Sequence, residues 1–158
     1  MARVAFPCEF PAAGSSALSC HPLTPDRWPD FAALFGTRGA CGGCWCMAWR
    51  RTAARFDAGK GESNRRAMRR LVAAGAQPGI LAYAGDEPVG WCSVAPRGEF
   101  VRLAASRTLA PVDERPVWSV SCFFVRRDWQ GRGLSGRPIM RRKIARGRRP
   151  AGEVKRSG

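Results

Sequence analysis

No apolar run in the sequence approaches the ~18 residues a membrane span needs, so no transmembrane segment is expected. No Gly-Lys-Ser/Thr follows a glycine and four spacers, which excludes a P-loop. Cys41 and Cys44 have the spacing of half a zinc knuckle, but no second Cys-x-x-Cys completes a set of four ligands. The single histidine, His21, follows Cys20, while Cys92 and Cys122 fall in expected strands, so no metal is assigned. A thioredoxin-like strand before the pair is also missing, which sets aside a redox dithiol. The seven cysteines are odd in number and follow no regular framework, which points to a reducing compartment and a cytoplasmic protein. At the N-terminus Pro7, Glu9 and Pro11 interrupt the apolar stretch, so an export signal is not expected there.

Acids are scarce: 12 Asp/Glu stand against 27 Lys/Arg, a formal net charge of +15. The excess is uneven. Residues 136–158 hold nine Lys/Arg and one Glu, while residues 1–135 hold 18 basic and 11 acidic side chains. The body's moderate excess suits a pocket for a polyanionic cofactor, and the tail alone suits nucleic acid or plain solvation. The 158 residues predict one domain with a real core. The expected division is an irregular leader over 1–16, a folded unit over 17–135 and a basic disordered tail over 136–158.

The stretch 116–135, PVWSVSCFFVRRDWQGRGLS, carries the most information. Val117, Trp118, Val120 and the CFFV run of residues 122–125 read as a strand, and its continuous apolar end predicts a central strand buried on both faces. It ends in a turn with two glycines flanking Arg132, after which Leu134 and Ser135 open a helix. A strand, a Gly-x-Gly turn and a helix start together make an anion site for a pyrophosphate, because the first-turn N–H groups lack helical partners. A dinucleotide fingerprint is not met: Gly136 has the wrong spacing for its third glycine, and the only later acid is Glu153.

This stretch resembles the coenzyme-A-binding motif of the GNAT superfamily of acetyl-CoA-dependent N-acetyltransferases. In that motif a strand ending in Val runs through four residues into (Arg/Gln)-Gly-x-Gly-(Leu/Ile)-(Gly/Ser/Ala). Here Val125 is followed at the matching spacing by Gln130, Gly131, Arg132, Gly133, Leu134 and Ser135. The stricter form wants Gln or Arg where this chain has Asp128. The segment Pro88-Val89-Gly90-Trp91 is similar to the hairpin that precedes the cofactor strand in the family. The CWCM segment of residues 44–47 resembles one in a bacterial subgroup of GNAT proteins.

The rest of the chain is read in order. Ala17–Leu23 is a short first strand. Thr24 as N-cap, Pro25 at the first position and Asp26 in the first turn start a helix. Its Trp28, Phe31, Leu34 and Phe35 share one face, and Gly36 and Gly39 end it. Residues 41–49 form a tight loop whose Trp45 and Trp49 pack on the sheet or line an acceptor pocket. Arg50–Gly61 reads as a polar connection. A helix over Glu62–Ala74 takes Ser63 or Asn64 as its cap, buries Met68, Leu71 and Val72, turns Arg65, Arg66, Arg69 and Arg70 outward, and stops at Gly75. A hairpin follows, with strands 79–84 and 89–94 about a Gly85–Pro88 turn. Pro96–Arg107 contains a short helix, and 109–115 is a loop.

The resulting fold class is α+β (α/β): a GNAT-like mixed, largely antiparallel sheet flanked by helices and incomplete at the C-terminus. The resemblance spans about residues 17–135 and then stops. Pro138 disrupts any helix begun at Leu134, and no apolar stripe follows. An out-of-frame or truncated tail is one expectation; translating the other frames of the coding DNA beyond Ser135 tests it, and three uninformative frames would refute it.

The resemblance implies acetyl transfer from acetyl-CoA to a primary amine. Backbone groups around Phe123, Phe124 and Val125 would pair with the pantetheine arm, and N–H groups from Gln130 to Ser135 would hold the pyrophosphate. No general base is assigned: Glu99, Asp113 and Glu114 are candidates by chemistry alone. Tyr83 does not match the tyrosine that often protonates the leaving thiolate in the family. The expected partner is a small-molecule or peptide amine acceptor, with no membrane, and a homodimer as one assembly. Two alternatives are a truncated, non-catalytic GNAT-like remnant and a basic nucleic-acid-binding protein. The second is disfavoured because the aromatics lie in core elements rather than among the basic residues.

Overall fold

Near-continuous apolar runs build two inner strands that are buried on both faces. In the computed structural model, which describes residues 9–10, 18–111 and 113–132, β3 (Gly79–Ala84) and β4 (Glu87–Pro96) pair antiparallel. Leu81 and Tyr83 face one side of the sheet, Ile80 and Ala82 the other. Their turn is two residues, Gly85-Asp86, so Glu87 and Pro88 belong to β4 and not to a four-residue turn. The register slips where Ala82 pairs with Gly90 and Tyr83 with Pro88, and the extra residue, Val89, is fully buried.

The sheet continues outward on both sides. β2 (Leu18–Pro22) pairs with β3 and carries β1 (Glu9–Phe10) on its outer side, and β5 (Trp118–Val125) pairs with β4; among the described residues the order is β1-β2-β3-β4-β5, every pair antiparallel. β1 lies within the segment read as an irregular leader, a pairing that two residues of sequence do not announce. The expectation that β5 is a central strand buried on both faces is corrected. Among the described residues it is the sheet's edge, with Trp118 at 39 % and Phe123 at 44 % exposure. Cys122 and Phe124 pack on the helical side and Val120 and Val125 on the other, so an unbroken apolar run produces a half-buried strand.

Helices cover one face. Pro25–Arg27 form a single tight turn that leads into α1 (Trp28–Phe35), and Gly36 ends it at φ 62°. Thr24 sits at the N-cap with extended backbone, but its hydroxyl accepts from the Arg27 guanidinium at 3.1 Å instead of capping. Trp28, Phe31, Leu34 and Phe35 are all buried, as their spacing predicts. Phe31 and Phe35 pack edge-on to Trp91 of β4, at 4.9 and 6.1 Å between ring centroids.

The segment read as a polar connection holds a six-residue helix, α2 (Ala53–Ala58), capped by the Thr52 hydroxyl. It buries no residue, and so leaves no apolar stripe for sequence periodicity to detect. α3 (Glu62–Ala73) follows, with Met68 and Val72 inside. Its N-cap is Gly61 and not Ser63 or Asn64. Asn64 is buried and is spent elsewhere: its amide donates to the Gly43 and Phe56 carbonyls, and its Oδ1 accepts from Arg51 at 2.8 Å. Of the arginine row, Arg66, Arg69 and Arg70 are exposed, while Arg65 lies 5.3 Å over the Trp45 ring. α4 (Val101–Ala104) is the short helix expected after β4.

Candidate functional site

β5 and the turn that follows it form the candidate cofactor site. On one side β5 pairs with β4; its outer row of N–H and C=O groups meets no strand among the described residues. Ser93 pairs with Cys122 and Val94 with Val120, leaving Ser121 as a bulged extra residue. The Ser121 hydroxyl donates to Ser93 Oγ at 3.1 Å. A bulge re-aims its neighbouring backbone groups in mid-strand, a feature that no residue type announces in advance.

The turn itself is braced by charge. Arg126 donates to both carboxylate oxygens of Asp128, each at 2.7 Å, and to Glu87 at the start of β4. These contacts hold Asp128 and Glu87 below the usual carboxylate range, chiefly through the hydrogen bonds from Arg126. Asp128, the departure from the stricter motif, is thus a member of the clamp that fixes the turn to β4. Arg126 N–H also donates to Val89 O at 3.0 Å. Arg127–Trp129 make one helical turn, Gln130 Nε2 donates back to Val125 O at 3.0 Å, and the Arg132 guanidinium lies 4.9 Å over the Trp129 ring.

The motif residues fall into three groups. Phe123, Phe124 and Val125 end the strand: Phe123 is exposed, Phe124 packs 5.5 Å from Phe35, and Val125 joins the opposite face. The Gln130 N–H is consumed inside the turn by Arg127 O at 3.2 Å, so it is not a free donor. The Gly131 and Arg132 N–H groups make no backbone hydrogen bond among the described residues. Gly131 has φ 76°, which favours glycine, and nothing lies within 4 Å of where a Cβ would stand. Gly133, Leu134 and Ser135, together with the tail, lie outside the described residues.

Behind β5 sits the cysteine loop. Gly39 has φ 67°, and a Cβ there would stand 2.1 Å from Trp45 Nε1, so glycine lets that ring close over the helix end. Trp45 and Trp49 are expected to pack on the sheet or line an acceptor pocket; Trp45 is buried and stacks on Phe35 of α1 at 5.6 Å, and Trp49 is half-buried beneath the Arg102 guanidinium at 5.0 Å. Trp45 and Cys46 adopt φ 36° and 52°, strained for such residues and held by burial. Cys46 Sγ donates to Cys122 Sγ at 3.8 Å, tying the loop to the inner face of β5. The Cys46 hydrogen bond holds Cys44 down to about 6, whereas burial first, and then its sulfur neighbours, push Cys46 up. Among the described residues no three His, Cys, Asp or Glu side chains are placed to share a metal ion.

Two of the three acid–base candidates are engaged. Glu99 accepts from Arg50 at 2.7 Å and Asp113 from Arg115 at 2.7 Å. The Tyr83 hydroxyl donates to Asp30 at 2.7 Å, and its burial, with that contact, pushes its pKa up. Glu114 is exposed. No described helix is long and apolar enough to cross a membrane.

No family model and no curated protein matches the sequence. Solved structures do. An aminoglycoside 6'-N-acetyltransferase from Acinetobacter baumannii aligns at 16 % identity and TM-score 0.46, over 81 % of this chain and 70 % of its own. An aminoglycoside N-acetyltransferase in complex with CoA aligns at 13 % and 0.48, over 87 % and 76 %. A GCN5-related N-acetyltransferase from Ralstonia eutropha aligns at 14 % and 0.47, over 89 % and 97 %. These neighbours are GNAT-fold N-acetyltransferases.

Proposed function

We propose that this chain binds acetyl-CoA along β5 and transfers the acetyl group to a primary amine, with residues 17–135 as the GNAT-like unit. The observation that carries the reading is the outer edge of β5, unpaired among the described residues and bulged at Ser121, running directly into an open turn at Gly131. Such an edge accepts an extended ligand as an added strand, and the amide-bearing pantetheine arm has the donors and acceptors to pair with Phe123, Phe124 and Val125. The Gly131 and Arg132 N–H groups, with those of Gly133, Leu134 and Ser135 beyond, supply the pyrophosphate contacts. Gln130 acts differently: its side chain locks the turn onto Val125 O.

The cofactor, when bound, supplies an activated thioester carbonyl. The chain's part is to hold that carbonyl beside a strand N–H near the bulge, in a geometry set before the amine arrives. The acceptor must arrive as the neutral amine, because only then does nitrogen carry a free lone pair. Thiol release from acetyl-CoA in the presence of a panel of small-molecule and peptide amines tests the reading; amine-dependent release above background hydrolysis is expected. The engagement of Glu99, Asp113 and Tyr83 favours a second reading, cofactor binding without transfer, and saturable binding with no amine-dependent release would select it.

A further inference from the structure

A second site lies at the other end of β4. The turn that carries Gly131 is anchored at Val89, whereas α4 follows Pro96, roughly 20 Å further along the strand at about 3.3 Å per residue. Arg102 ties α4 to the loop below it, its N–H donating to Trp49 O and its guanidinium to Ala48 O. Between that loop, α2, the start of α3 and Val101 opens a cavity of about 460 Å³, the size of a small-molecule site.

Its lining is one-sided in charge. Arg50, Arg51 and Arg55 contribute guanidinium groups, Thr52 and Ser63 hydroxyls, and among the described residues no carboxylate lines it. Arg50 is fixed: its side chain is 4 % exposed, Glu99 and Pro78 O hold its terminal nitrogens at 2.7 and 3.1 Å, and its guanidinium lies 4.7 Å over Phe100. Its buried Nε has no hydrogen-bond partner in the described structure. Arg51 leans on neutral groups only, Asn64 Oδ1 and Ser63. Arg55 forms no described ion pair. Two cationic charges, those of Arg51 and Arg55, therefore line a recess to which no described carboxylate contributes.

We infer that this cavity binds a compact oxyanion, the carboxylate or phosphate of a small molecule. Planar guanidinium groups match both anions with paired N–H donors, and the two hydroxyls add neutral ones. The recessed position of Arg50 favours a small ligand over the backbone of duplex nucleic acid, which contacts exposed cations. The site stands apart from the β5 edge, so it holds or fails independently of acetyl transfer.

Calorimetric titration of the full chain with inorganic phosphate and, separately, succinate tests it in the absence of acetyl-CoA. The more tightly bound probe identifies the anion class. The diagnostic variant is R55E, because the Arg55 side chain is exposed and unpaired, so the fold does not depend on it. R70E on the exposed face of α3 makes the same change in net charge away from the cavity. Saturable binding weakened roughly tenfold or more by R55E and unchanged by R70E is expected, the effect of losing one charge-assisted contact. Equal weakening in both variants would show diffuse attraction to a basic chain and overturn the site, as would no saturable binding of either probe by the folded protein.

Discussion

Trp91 and Phe123 are aromatic residues on neighbouring strands, and they are used in opposite ways. Trp91 on β4 is fully buried against Phe31 and Phe35 of α1, with β3 and β5 on either side. Phe123 on β5 is 44 % exposed at an edge with no described outer partner. The first region spends its apolar surface on cohesion. The second leaves apolar surface and backbone donors open, the arrangement a ligand-binding strand requires.

Substitutions on either side of this contrast test it. Trp91→Ala should be the most damaging, costing about 3–5 kcal/mol in denaturant unfolding, because it empties the space between α1 and the sheet. A loss under about 1 kcal/mol would mean that α1 and β4 are not packed as described. Asn64→Ala should cost about 1–3 kcal/mol by removing the buried amide that joins the Gly43 and Phe56 carbonyls to Arg51 and so binds the cysteine loop and α2 to α3. Loss of the Thr52 cap should cost less, about 0.5–1 kcal/mol, since α2 has no fully buried residue and only Phe56 packs against the core.

A pH effect should come next. Cys44 is held down to about 6 in the folded chain, against about 8.5 when unfolded. Between those values the unfolded state binds more protons, so stability should rise as pH increases from about 6 to 8.5, and Cys44→Ser should remove that rise. Above this range the sign reverses. Burial pushes Cys92 up to about 12 and Cys46 up as well, so their unfolded thiols ionise first and stability should fall. Urea midpoints measured across pH check both limbs. The smallest stability effect belongs to Phe123→Ser, within about 0.5 kcal/mol for a side chain outside the core. That same substitution should weaken acetyl-CoA binding, whereas an equally large stability loss would return β5 to the core.

Much of the core was legible because its pattern is strong. Trp28, Phe31, Leu34 and Phe35 recur at helical spacing, and the turn residues over 85–88 between two apolar runs mark a hairpin, whose turn the structure shortens to Gly85-Asp86. The edge position of β5 was not legible, since CFFV reads the same whether or not a further strand pairs with it. The clamp of Arg126, Asp128 and Glu87 joins residues 39 positions apart, beyond any local pattern. Asn64 looked like a cap because Asn favours caps, but its tertiary contacts with Gly43, Phe56 and Arg51 prevailed. The Arg50–Arg51–Arg55 cavity was hidden for a similar reason: its arginines read as a solvated connection until α2 and α4 brought walls to them.

The central claim is that the β5 edge and its glycine turn hold acetyl-CoA. Isothermal calorimetry with the full chain and with Gly131→Val tests it most directly, because φ 76° tolerates no β-branched residue and the site around Gly131 is otherwise open. Saturable binding to the native chain, lost in the variant at unchanged overall fold, is the predicted result. A folded native chain that binds no acetyl-CoA, or a variant that binds it equally well, would contradict the account.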